Sequence, residues 1–336
     1  MTNIEYSYDK YVTDKENLLK TIQEYGVAII PSVLNEEECN NMLSGIWDYY
    51  ERITEKWEIP INRNNKETYK EFYKLYPSHS MLIQHWNVGH AQVNWDVRQN
   101  IKILEIWAYI YDCTIEDLLV SFDGMSFNIP PEITNRGWQT NNSWLHTDQS
   151  YFDSRMTTIQ SWVSALDVNE GDATLQFLEK SNQFHEYFKD ELGVSDKSDW
   201  YKLDDIEKDF YINNGCIEIK IKCPKGSIVF WDSRTIHSGS QALKTRIKPN
   251  FRAIIYLCYL PRSLATNKQL DKKKKALIDM RTCKHNPIKN LLFSQLPRTY
   301  GNDIKEITQI DNPILNKIGY RLAGFDNFED YKSYKD

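Results

Sequence analysis

Trp144-Leu145-His146-Thr147-Asp148-Gln149 decides the reading of this chain, taken together with Ile236-His237-Ser238-Gly239 about ninety residues later. On an extended strand successive side chains point to opposite faces, so His146 and Asp148, two positions apart, project to the same side and can grip one metal ion. His237 completes the set from a distance. A His-x-Asp pair alone is common by chance, but this one is flanked by Trp144, Tyr151 and Phe152. His237 in turn closes Lys225-Gly226-Ser227-Ile228-Val229-Phe230-Trp231-Asp232, a Gly-led turn running into an apolar strand.

Working outward, residues 118 to 260 are short apolar runs broken by turn residues, the pattern of an all-β core. The expected strands are Leu118–Phe122, Met125–Asn128, Leu145–Asp148, Thr158–Leu166, Leu175–Leu178, Ile217–Ile221, Ile228–Trp231 and Ala253–Leu260. About eight strands suit a double-sheet jelly roll. The expected fold is therefore mainly β with flanking helices around a double-stranded β-helix, or cupin-like jelly roll. Two imidazoles and a carboxylate on one face of a metal form the facial triad of non-haem Fe(II) oxygenases, which leaves positions open for co-substrate and dioxygen. Arg252 opens the long β-prone run Phe251–Leu260, and an Arg so flanked is costly to bury without a carboxylate or phosphate to pair with.

On these residues the chain resembles the phytanoyl-CoA dioxygenase-like family of iron(II)- and 2-oxoglutarate-dependent oxygenases. The resemblance implies that His146, Asp148 and His237 bind iron and that Arg252 holds the far carboxylate of 2-oxoglutarate. Glu24-Tyr25-Gly26-Val27-Ala28-Ile29-Ile30-Pro31-Ser32-Val33-Leu34 also resembles the family's opening strand and its turn into a first long helix, so the likeness runs over residues 15 to 260. One departure lies at Gly171–Asn182, where only Ser181 survives of the family's Pro-Gly-Ser-His stretch. Halogenating relatives replace the acidic ligand by a small residue. Asp148 is present, so the implied reaction is hydroxylation of an unactivated C–H bond with decarboxylation of 2-oxoglutarate to succinate and CO2, using O2.

Two rival readings use the same residues: a cupin-like isomerase or hydrolase on Zn or Mn, or a binding protein that keeps the barrel without turnover. Arg252 argues against the first and the complete ligand set against the second. The expected partner is a small-molecule substrate that the sequence does not name. A net charge of −6 in 336 residues opposes general nucleic-acid binding. Six cysteines without short paired spacing suggest neither zinc site nor disulfide scaffold. With no secretory leader and no long apolar run, a cytoplasmic protein off the membrane is expected.

Residues 1–262 are read as the dioxygenase domain, with a helical part at 14–112 and the β core at 118–260, and 263–336 as a C-terminal extension packed on or following the core. Helices are expected near 14–25, from an Asn35 N-cap to about Thr54, and over Val97–Tyr111. Phe184–Asp209 reads as an insertion over the site entrance. The lysines of Asp271–Lys275 read as the solvated face of an amphipathic helix. Gln160, on the face of Trp162, is either a donor to 2-oxoglutarate or an ordinary strand residue. Trp138, Trp144, Gln149 and Tyr151 are candidate substrate contacts or core filling. Arg246 is an alternative to Arg252, although its neighbours look like a turn. His79, His85 and His90 read as solvated or core histidines, His285 as a surface residue, and Asp123-Gly124 as a plain turn.

Overall fold

The computed structural model describes residues 4–75, 82–140 and 143–335. Its strands are β1 (Glu5–Ser7), β2 (Val27–Ile30), β3 (Leu82–Ile83), β4 (Leu118–Val120), β5 (Met125–Asn128), β6 (His146–Thr147), β7 (Ile159–Ser164), β8 (Thr174–Leu178), β9 (Tyr201–Lys202), β10 (Glu218–Ile221), β11 (Ile228–Asp232), β12 (His237–Ser240), β13 (Arg252–Leu257) and β14 (Tyr259–Pro261). The helices are α1 (Leu18–Tyr25), α2 (Glu36–Thr54), α3 (Gln92–Arg98), α4 (Ile101–Ile110), α5 (Pro131–Thr134), α6 (His185–Leu192), α7 (Asp205–Asn213), α8 (Asn267–Ile278), α9 (Lys317–Leu322) and α10 (Phe328–Lys335).

Two six-stranded sheets form the core, in the orders β1-β10-β8-β12-β6-β9 and β2-β11-β7-β13-β5-β3. They pack as a jelly roll that does not close into one barrel. Strand alternation builds the layers. On β11, Ile228 and Phe230 face the helices with Trp107 and Ile46, whereas Val229 and Trp231 face the opposite sheet and meet Phe177, Ile219 and Ile221. On β13, Ala253, Ile255 and Leu257 join the helical side, so Arg252, Ile254 and Tyr256 point between the sheets.

Local sequence explains the flanks. Asn35 caps α2 with a full capping box, its side chain accepting from the Glu38 amide while Glu38 returns to the Asn35 amide. The expected Val97–Tyr111 helix divides at Asn100, whose side chain accepts from the Lys102 amide and starts α4 afresh. The expected Ala253–Leu260 strand also divides: Tyr259–Pro261 leaves β13 and pairs with β4 in a separate two-stranded sheet. β12, which carries His237, was not among the expected strands because His-Ser-Gly-Ser lacks β-branched and apolar residues.

The four-lysine run is not simply a solvated face. Lys273 is fully buried, its ammonium donating to the Val120 carbonyl and lying 3.9 Å from the Phe122 ring centroid. Helical spacing explains this, since Lys273 shares the inward stripe of Ala276 and Leu277, three and four positions on. Burial pushes its pKa down to about 7. An unfolded lysine titrates near pH 10.4 (roughly), so between these values the unfolded chain holds a proton that the folded chain has shed, and stability rises with pH. Measured by urea unfolding, wild type should gain roughly 2 kcal/mol on Lys273→Met between pH 7 and pH 9. A difference independent of pH would mean that Lys273 keeps its proton in the fold.

Candidate metal centre

His146 on β6 lies directly opposite His237 on β12, and Asp148 follows immediately after β6. One donor atom from each of the three falls within 4.8 Å of the others. His146 Nε2 is 3.7 Å from Asp148 Oδ1, and His237 Nε2 is 3.4 Å from Asp148 Oδ2. Each imidazole is oriented by the carbonyl two residues before it: His146 Nδ1 is 2.9 Å from the Trp144 oxygen and His237 Nδ1 2.9 Å from the Thr235 oxygen. With Nδ1–H donating there, the Nε2 lone pair faces the third ligand, the tautomer a metal needs.

The charge states suit metal binding too. Burial, partly offset by Asp148, holds His146 down to about 4, so the ring is neutral. Burial alone would raise the Asp148 carboxyl, but His285, His146 and His237 outweigh it and hold the group well below the usual carboxylate range. A neutral His146 beside an ionised Asp148 is in the form that ligates.

Arg252 lines the same cavity, of about 590 Å³, as the three ligands. It is buried at 4 % exposure, and its Nε and Nη1 have no hydrogen-bond partner. A buried guanidinium with two idle donors is costly and fits a carboxylate arriving with a ligand. Arg246, the alternative, is already committed to Glu132 and to Asp172, the latter at 3.1 Å. Gln160 donates to Asp148 Oδ2 at 3.1 Å, so its amide steadies a ligand carboxylate while it also lines the cavity.

The four aromatic and amide candidates separate. Trp144 lines the cavity and stacks on His146, with centroids 5.0 Å apart. Gln149 lies outside it as a buried knot, donating to the Asp153 and Arg155 carbonyls and accepting from Thr157 and Ser233. Tyr151 is core, hydrogen-bonded to Tyr211 at 2.9 Å and stacked on His185 and Phe188. Trp138 sits under the Arg246 guanidinium, away from the cavity lining.

Two bland readings are overturned. His285 is not a surface residue: its Nδ1 is 4.0 Å from Asp148 Oδ2 and the ring lines the cavity. Asp123-Gly124 is no plain turn, because Asp123 is buried and lines the cavity, and a Cβ on Gly124 would lie 1.9 Å from the Ile83 carbonyl oxygen. Of the early histidines, His90 is buried against the Arg281 carbonyl and His85 meets the Ser294 carbonyl, whereas His79 lies outside the described residues. Trp200, Asp199 and Lys202 from the insertion also line the cavity. Which of the insertion's residues reach the cavity was not legible, since strand β9 is only two residues long.

This fold and this His-Asp-His cluster are of the kind found in the Fe(II)/2-oxoglutarate oxygenase superfamily. The profile of the phytanoyl-CoA dioxygenase family matches residues 22–247, and the chain belongs to that family. The His146-Asp148-His237 cluster and the idle Arg252 donors fit Fe(II) and 2-oxoglutarate, the cofactor and co-substrate that this family implies. Ava biosynthesis cluster protein O of Aspergillus versicolor is 24 % identical over 198 residues, covering 56 % of this chain and 61 % of that relative. In fold, the chain is similar to the GlcNAc-inducible gene 2 protein of Candida albicans, with TM-score 0.56, 13 % identity and coverage of 94 % of this chain and 77 % of that one. It is similar also to hypothetical protein JW0805 of Escherichia coli, with TM-score 0.55, 15 % identity and coverage of 94 % and 85 %. No helix among the described residues is long and apolar enough to cross a membrane.

Purified protein is expected to bind one Fe(II) per chain, and His146→Ala and His237→Ala should each abolish this in metal analysis after dialysis. Tyr151→Phe should keep full iron content while losing about 0.5–1.5 kcal/mol of stability with the Tyr211 hydrogen bond. Iron retained in both histidine variants would refute the ligand assignment.

Proposed function

We propose that this protein hydroxylates an unactivated C–H bond of a small molecule, coupled to decarboxylation of 2-oxoglutarate to succinate and CO2. The observation that carries the reading is Arg252, a buried cation with idle donors in the cavity that holds a His-Asp-His triad. Iron bound there would supply oxygen activation, chemistry no side chain of the site can perform. The protein's own part is to bind, orient and exclude water. His146, Asp148 and His237 hold the metal, with their Nδ1 and carboxylate partners fixing each donor. Arg252 takes the distal carboxylate of 2-oxoglutarate as a two-point fork, and Gln160 keeps Asp148 from swinging away.

The presence of Asp148 supports hydroxylation over halogen transfer, because the third ligand position is filled by a carboxylate. A zinc or manganese isomerase or hydrolase would leave the Arg252 donors unexplained. The six cysteines are all unpaired, five of them buried, which supports a reducing, cytoplasmic setting.

Arg252→Ala removes one partner of a charge-assisted pair in a sheltered site and should cost roughly 2–5 kcal/mol of 2-oxoglutarate binding. Arg252→Lys should recover only part, because an ammonium lacks the planar fork. Iron affinity should hardly change in either. The measurement is titration of the metal-to-ligand charge-transfer band of the anaerobic Fe(II) protein with 2-oxoglutarate. An unchanged dissociation constant in Arg252→Ala would remove Arg252 from the co-substrate seat, and absence of the band in wild type would overturn the oxygenase reading.

A further inference from the structure

One wall of the cavity comes from a segment beyond the family match. Residues 282–293 fold back on themselves, with the Lys284 amide donating to the Leu291 carbonyl at 2.8 Å and the Phe293 amide to the Thr282 carbonyl at 3.0 Å. This hairpin is clamped in place. His85 meets the Ser294 carbonyl at 2.8 Å, Asn87 donates to the Met280 carbonyl at 2.8 Å, His90 meets the Arg281 carbonyl at 3.0 Å, and the Cys283 amide donates to the Phe122 carbonyl at 2.9 Å. Lys289 then reaches across the mouth to Asp199 of the insertion at 2.7 Å. Such a set of hydrogen bonds fixes a wall in position, which is what a binding surface requires.

The wall and its opposite face have a definite chemistry. Phe293 on the hairpin shares the cavity with Trp144 and Trp200, both beside His146, at 5.0 and 5.7 Å between ring centroids. These make an apolar, aromatic slot. Toward its mouth stand Lys202, Lys284 and Lys289, all exposed, and Lys289 is paired with Asp199. Among the described residues Lys202 and Lys284 then have no carboxylate partner, in a chain whose net charge is −6. His285, between them and the metal ligands, faces the cavity beside Asp148.

We propose that the 282–293 hairpin is the substrate-selecting wall and that the molecule it takes is an organic acid: an apolar or aromatic body seated between Trp144, Trp200 and Phe293, and a carboxylate held at Lys202 and Lys284. His285 is the polar contact at the inner end of this slot. The proposal deepens the oxygenase reading by naming the substrate class of the same site, and it depends on that reading only for what becomes of the bound acid.

The test is calorimetric titration of the anaerobic Fe(II) protein, saturated with 2-oxoglutarate, with 4-phenylbutyrate and its neutral counterpart 4-phenylbutan-1-ol. The acid should bind about fivefold or more tightly, the sum of two exposed charge contacts, and the gap should shrink in 0.5 M NaCl. In the double variant Lys202→Ala/Lys284→Ala the gap should close while the 2-oxoglutarate charge-transfer titration stays as in wild type. Phe293→Ala should weaken both probes alike. Equal binding of acid and alcohol by wild type, or a gap that survives the double lysine variant, would overturn the proposal. So would a gap abolished by Arg252→Ala, which would put the acid in the co-substrate seat. Loss of the charge-transfer band with the acid preference intact would instead sink the oxygenase reading and leave the wall standing.

Discussion

The constraint on which the site depends is the pairing of β12 with β6, which sets His237 and His146 directly across from each other. Cross-strand neighbours on one face lie within reach of a shared ion, so one register creates two-thirds of the ligand set. Slipping that register by a single residue would turn one imidazole to the other face. The register is secured elsewhere. β12 also pairs with β8 over His237–Ser240, and the Ile236 amide donates to Ser181 at 2.8 Å. Ser181, the one survivor of the loop in which this chain departs from the family, thus fixes the residue immediately before a metal ligand.

A second constraint is the two-faced character of the β13 sheet. β13 must place Ala253, Ile255 and Leu257 against the helices, and the same alternation turns Arg252, Ile254 and Tyr256 inward. The burial of Arg252 follows from the core packing of its neighbours. Tyr256, hydrogen-bonded to Ser126 at 2.9 Å, sits beside the guanidinium and favours its charged form, against the burial that lowers its pKa. The fold holds a desolvated cation whose burial costs energy that an anion would relieve.

The legible part of this protein is the part written in strong local rules. Alternation along Ile228–Trp231, the capping box at Asn35 and the His-x-Asp spacing each rest on residues within a few positions of one another, and each appears in the structure. What escaped was determined by long-range packing. β12 has no strand-forming composition and exists because β8 and β6 flank it. Lys273 looks solvated in a run of lysines, yet helical phase turns it inward. Gln149 and Tyr151 stand next to the metal motif in sequence, but the turn after Asp148 carries them into a separate cluster with Tyr211 and Phe188. His285 gave no signal at all, because long-range clamps, from His85, Asn87 and His90 about two hundred residues earlier and from the Phe122 carbonyl, bring it to the cavity.

These clamps also explain how the site divides its labour. The metal ligands and Arg252 stand on paired strands whose positions are fixed by two sheets and by both hydrophobic layers, so they tolerate little change. The slot around them is supplied by the insertion after β8 and by the hairpin after α8, which touch each other through one exposed ion pair, Lys289 with Asp199. Such a pair contributes little stability, roughly 0–1 kcal/mol. The position of the hairpin wall therefore rests on backbone carbonyls of residues 280–294 held by side chains of the 85–90 loop, not on the charges at the mouth. Residues at the tip can change their chemistry without disturbing either the clamp or the triad.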